Sequence, residues 1–151
     1  GVPTRSRALV ENGVLKGFLH NLETSRRDKI APTGDATRSY TGRVSAGFSN
    51  LQIDCSKGCS LGELKTSHSR LLHVVKLEGS TGCNPVSGDI SIGIQGFLVE
   101  NGSSTPVDRV SLSGNFFDLL LKLERWGDHY RPGVHSNFVP ALLFSEINLA
   151  S

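Results

Sequence analysis

The chain has 151 residues, 17 glycines, three cysteines, no methionine and a net charge of +2. Its hydrophobic fraction is 37 %, and with glycine added it reaches about 48 %, inside the globular range, so a disordered tail is excluded. No run approaches the ~20 apolar residues of a membrane span; Val110–Leu123 is broken by Ser111, Ser113, Asn115, Asp118 and Lys122. The length fits one ordinary domain able to hold a core, and the glycine content predicts many short strands.

Charge is uneven along the chain. Residues 1–43 carry eight bases against four acids, whereas the remainder carries eight against ten. The arginines are scattered, and Phe18 and Tyr40 form no stacking array, so a nucleic-acid partner is not expected. An odd cysteine count fits reduced thiols of the cytoplasm better than a secreted disulfide scaffold.

In chain order, the first signal is a hairpin. Ala8-Leu9-Val10-Glu11-Asn12-Gly13 reads as a strand entering an Asn-Gly turn, with Val14–Leu19 returning. Asn-Gly tolerates the two positive φ angles that a two-residue type I′ turn needs. Residues 24–47 are polar and turn-rich, and predict an ordered loop or weak strands. Phe48–Asp54 alternates apolar and polar residues, the period of a half-buried strand. Ser60-Leu61-Gly62-Glu63 fits a capping box opening a helix that runs to about Leu72.

Gly82–Gly88 predicts a tight polar turn, and from Asp89 the residues Ile90, Ile92 and Ile94 alternate toward one face. Phe97-Leu98-Val99-Glu100-Asn101-Gly102 repeats the first hairpin signal, with residues 105–110 returning; Pro106 favours an edge or a strand's start. A second helix is predicted from Asn115 through Trp126, apolar on most sides and therefore buried, ending at Gly127. Phe138–Leu149 alternates again. The sum is a mainly β (α+β) domain, an antiparallel sheet or barrel with two helices packed on it.

Candidate chemistry is sparse. Cys55-x-x-x-Cys59 with His68 and His73 could form a structural zinc set, but His68 and His73 lie about 500° apart on a helix, on different faces. His129 and His135 flank Arg131-Pro132-Gly133 and are weak metal candidates. No His-Glu-x-x-His or His-Glu-x-x-x-His element occurs, so a helical zinc pair is missing from this stretch. Cys83 sits in a glycine-rich turn with no base placed beside it. Asn84, Ser87 and Asp89 form a polar turn suited to positioning a substrate or a loop, or to bonding its own backbone. No catalytic residue is expected.

The ordered set of motifs resembles the TldD/PmbA (TldE) family. It comprises Gly1-Val2-Pro3-Thr4, Leu9–Leu19, Thr33-Gly34-Asp35-Ala36-Thr37-Arg38, Asn84–Ser91, Gly96–Gly102, Pro106-Val107, Ser113-Gly114-Asn115 and Pro140–Ile147. The resemblance implies a zinc-peptidase-like protein of peptide maturation, or a modulator of DNA gyrase, roughly three times this length. It implies the last third of a larger protein, a single C-terminal domain over residues 1–151. TldD-type members carry a zinc helix upstream and a cysteine ligand near the C-terminus. Gly127–Pro140 contains His129 and His135 but no cysteine, which fits the TldE/PmbA type. Such a chain would bind no zinc itself; zinc would reside in a catalytic partner or in another part of the full-length protein. Expected partners are a TldD-like subunit or a second copy in a dimer, and an unfolded peptide held in a cleft.

Overall fold

A computed structural model describes residues 2–79, 82–130 and 137–150. The chain forms two compact units, Gly1–Gln52 with Val134–Phe138, and Ile53–Gly133 with Val139–Ser151.

The first unit is built from short pieces. β1 (Val10–Glu11) and β2 (Val14–Leu15) pair antiparallel, Val10 opposite Leu15 and Glu11 opposite Val14. Asn12 and Gly13 adopt φ of 50° and 77°, the positive pair that the type I′ turn requires. α1 (Leu22–Asp28) follows, a helix running into the 24–47 stretch where the sequence predicts an ordered loop or weak strands. Asn21 caps it: the Thr24 amide donates to Asn21 Oδ1 at 2.9 Å, and the Asn21 amide donates to Thr24 Oγ1 at 3.1 Å. This is a capping box with threonine in place of the usual Glu or Gln, so the sequence carries no standard helix-start signal here. β3 (Ala36–Thr37) pairs with β4 (Ser45–Ala46), and β5 (Leu51–Gln52) pairs in parallel with β10 (Asn137–Phe138).

The second unit carries the main sheet. Its strands are β6 (Arg70–Glu78), β7 (Asp89–Glu100), β8 (Ser103–Asn115) and β12 (Asn148–Ala150), in the order β12-β8-β7-β6 and antiparallel throughout. The sheet is open, so of the two forms the sequence allowed, the sheet and not the barrel is realised. β7 and β8 meet at a second type I′ turn, Asn101 and Gly102 with φ of 49° and 81°, and pair along their whole length. Each neighbour of β7 bulges at one level: Val75 is extra on β6, and β8 gains a residue between Val107 and Val110 where Arg109 takes φ 57°. Gly96 sits between these irregularities, where a Cβ would run into the His73 carbonyl oxygen. Pro106 faces Phe97 of β7, and among the described residues no strand covers the other side of β8 there, as an amide-less residue needs.

Two helix predictions overran. α2 (Leu61–Thr66) starts at the predicted Ser60 box, with Ser60 N donating to Glu63 Oε2 at 2.8 Å and Glu63 N to Ser60 Oγ at 3.2 Å. It stops at Thr66, and Leu71 and Leu72 belong to β6. The run Leu72-His73-Val74-Val75 contains β-branched residues that suit a strand, and the leucines that matched helical spacing also fit the sheet. α3 (Phe116–Leu121) likewise lasts six residues, after which β9 (Leu123–Tyr130) pairs antiparallel with β11 (Pro140–Phe144). Gly127 is therefore buried mid-strand, bridged to Cys59, and does not end a helix.

The core is thin. Among the described residues the buried hydrophobic side chains are Leu64, Ile94 and Leu143. Ile94 is 1 % exposed, on the face that the Ile90-Ile92-Ile94 alternation predicted.

Candidate functional site

The predicted polar turn is a closed hydrogen-bonded knot at the start of β7. Asn84 Oδ1 accepts from the amides of Val86 at 2.9 Å and Ser87 at 3.2 Å, an Asx turn. Backbone bonds shut the loop: Gly88 N to Asn84 O, Asn84 N to Asp89 O, and Ser91 N to Gly82 O. Gly88 takes φ 81°, and a Cβ there would run into the Phe117 ring. Ser87 Oγ donates to Asp89 Oδ2 at 2.6 Å.

A fourth residue, Asn115, completes the knot; the sequence marks it as a helix start and as part of the Ser113-Gly114-Asn115 motif, not as a partner of the turn. Asn115, the N-cap of α3, donates through Nδ2 to Ser87 O at 2.8 Å and Asp89 Oδ1 at 3.2 Å. Its Oδ1 accepts from the Phe117 amide at 3.0 Å, and Phe116 N donates to Gly88 O at 2.7 Å. The Ser87 hydroxyl, and after it the Asn115 amide, hold the Asp89 carboxyl below the usual carboxylate range. Cross-strand pairing of Asp89 with Asn115 is the signal that could have linked them, and it becomes visible only once the register of β7 and β8 is known.

The side chains beside this knot are apolar. The sequence predicted a buried second helix; instead α3 buries none of its residues, with Phe117 55 % and Leu121 87 % exposed. Val86, at the tip of the turn, is 89 % exposed. The helix is too short to wrap its apolar faces around neighbours, because the chain leaves it at Lys122 to enter β9. Asn84, Ser87, Asp89 and Asn115 thus join the turn that carries Val86 to the helix that carries Phe117 and Leu121, all exposed apolar side chains.

The described metal candidates fall on other segments of the chain. His68 Nε2 lies 2.9 Å from Glu124 Oε2, and His129 Nδ1 lies 2.6 Å from Asp128 Oδ1. His73 falls on β6, and His135 lies outside the described residues. Cys59 is tied to β9, its amide and thiol both donating to Trp126 O. Cys55, Cys59 and Cys83 are all free thiols, and Cys83 is exposed. Among the described residues no group of three or more His, Cys, Asp or Glu side chains gathers as a metal centre, and Cys55, Cys59, His68 and His73 form no such set.

In the first unit, His20, Asn21, Ser25 and Asp35 are buried polar residues near α1, of which the sequence motifs mark only Asp35. The Thr33 hydroxyl links the cluster, accepting from His20 N at 2.8 Å, and Arg7 is ion-paired with Asp35. Beside it lies an open cleft of about 420 Å³ lined by Asn21, Leu22, Glu23, Arg26, Ala36 and Val44.

An open antiparallel sheet with short capped helices, its polar clusters committed to bracing loops, defines a mainly β α+β domain. The whole chain, residues 1–151, matches the PmbA/TldA metallopeptidase C-terminal domain, and the chain belongs to that family. A PmbA metalloprotease homolog of Haemophilus influenzae is 31 % identical over 121 residues, 80 % of this chain and 25 % of that protein. A Thermotoga maritima crystal structure, described as a proposed modulator of a DNA gyrase, superposes with TM-score 0.79 at 32 % identity, over 99 % of this chain and 34 % of that one. TldE from Thermococcus kodakarensis shares the fold, with TM-score 0.81 and 24 % identity over 100 % of this chain and 35 % of its own. The chain thus spans about a quarter to a third of these relatives. Among the described residues no helix is long and apolar enough to cross a membrane.

Proposed function

We propose that this chain is the C-terminal domain of a TldE/PmbA-type subunit, which supplies a subunit surface and part of a peptide cleft to a TldD-like metallopeptidase of the cytoplasm. The observation that carries this reading is the exposure of Val86, Phe117 and Leu121, an apolar ridge beside a knot whose polar groups are engaged with one another. Rigid apolar side chains held out from a sheet gain about 25 cal/mol for each Å² they bury, so they suit contact with another protein surface. The thin core points the same way, because apolar residues that a self-sufficient domain would bury lie at its surface.

In this arrangement the chemistry belongs to the partner. A zinc ion held there would polarise the scissile carbonyl and activate water, while this chain would hold an unfolded peptide through main-chain hydrogen bonds at a sheet edge. Asn84, Ser87, Asp89 and Asn115 act as positioning residues for the ridge. Co-expression of the full-length protein with a TldD-like protein tests the assignment: the two are expected to co-purify and to cleave an unfolded peptide together. A pair that neither associates nor cleaves overturns it.

The description of the Thermotoga neighbour favours a second reading, a non-proteolytic binding module of gyrase–toxin systems. Binding of gyrase components without a TldD-like partner would select that reading.

A further inference from the structure

The pentapeptide Leu-Val-Glu-Asn-Gly occurs twice, as Leu9–Gly13 and Leu98–Gly102, and both copies place Asn-Gly in an exposed type I′ turn. Asn-Gly is the dipeptide most open to one spontaneous reaction, because glycine presents its amide nitrogen without a shielding side chain. That nitrogen attacks the Asn side-chain carbonyl carbon. A new C–N bond closes a five-membered imide as the bond to the side-chain nitrogen breaks, and ammonia leaves with the proton lost by the glycine nitrogen. Water then opens the imide at one carbonyl or the other, giving an aspartyl or a β-linked isoaspartyl residue. No oxidant or other co-reactant is required.

Ring closure needs the Asn backbone to rotate out of the left-handed region that both turns impose. The turn must therefore open first, and the reaction rate follows the open population. Here the copies differ. Asn12 caps a ladder of two residue pairs, extended by the Lys16 N to Leu9 O bond at 2.8 Å. Asn101 caps a ladder of eleven pairs between β7 and β8, and its own amide donates to Ser69 O at 3.1 Å, outside the hairpin.

We propose that Asn12–Gly13 is a site of imide-mediated deamidation and isoaspartyl formation, from which the identical Asn101–Gly102 is protected by its hairpin. The product at position 12 adds a carboxylate beside Glu11. The β-linked form also inserts an extra backbone atom into a turn that sets the Val10–Leu15 register.

The test is peptide mapping by mass spectrometry of the purified full-length protein, aged at mildly alkaline pH in native buffer and, in parallel, in strong denaturant. In native buffer the product at position 12 is expected to form on the order of tenfold faster than at 101, the ratio that about 1.4 kcal/mol of difference in opening free energy gives. In denaturant the two rates should converge. Equal native rates, or faster reaction at 101, overturn the proposal. So does a ratio that persists in denaturant, since the residues after the turns, Val14 and Ser103, would then set it.

Discussion

The two Leu-Val-Glu-Asn-Gly segments turn the chain in the same way and then part company. After Gly13 the strand lasts two residues, Val14–Leu15, before Lys16-Gly17; after Gly102 it runs thirteen, from Ser103 to Asn115. The local code is equal, so the difference lies in what the strands can bury. β7 places Ile90, Ile92 and Ile94 on one face, with Ile94 in the core, whereas Val10, Val14 and Leu15 remain more than half exposed. A turn sequence fixes direction and register; strand length is set by side chains that find cover.

Substitutions in the two hairpins sharpen this contrast. Ile94→Ala should cost about 3 kcal/mol of global stability in denaturant unfolding, while Val10→Ala should stay within about 0.5 kcal/mol; similar losses would end the distinction. Gly96→Ala places a Cβ against the His73 carbonyl and the Val74 backbone and should cost about 2 kcal/mol, since the β6 backbone must shift. Gly102→Ala should lose about 1 kcal/mol from left-handed strain. Gly13→Ala carries the same strain at φ 77°, yet hydrogen exchange should show the effect confined to residues near the first turn.

The knot at the start of the long hairpin offers two smaller effects. Asn115→Ala removes the α3 cap and should cost about 1 kcal/mol by thermal unfolding. The Asp89 carboxyl titrates below its ordinary range when folded, so its contribution is fully present above the unfolded-state value and is lost as pH falls through the folded value. Acidification should therefore lower the melting temperature slightly more in the parent protein than in Asp89→Asn. Equal acid sensitivity would show that the Ser87 and Asn115 bonds add nothing.

Much of this was legible in the residues. Both Asn-Gly turns, the Ser60–Glu63 box and the Ile90-Ile92-Ile94 face are local signals, and local signals survive folding. The helices were overdrawn because leucines at 71 and 72 satisfy either period, and only pairing with Leu98 and Val99 decides for a strand. α1 was missed because its box uses Thr24. Ordered motifs gave the family, whereas the partnership of Asn115 with Ser87 and Asp89 is a contact across 28 and 26 residues that no spacing rule reveals. The exposure of α3 was hidden for a related reason: an apolar helix reads as buried whether its cover lies in its own chain or in another.

Hydrogen exchange across the ridge, with and without a TldD-like protein, tests the central claim most directly. Phe116–Leu121 and the Asn84–Gly88 turn are expected to gain protection when the partner is added to the full-length protein, and Leu121→Asp to abolish both that protection and co-purification. A complex that forms while these segments exchange as freely as before would contradict the account.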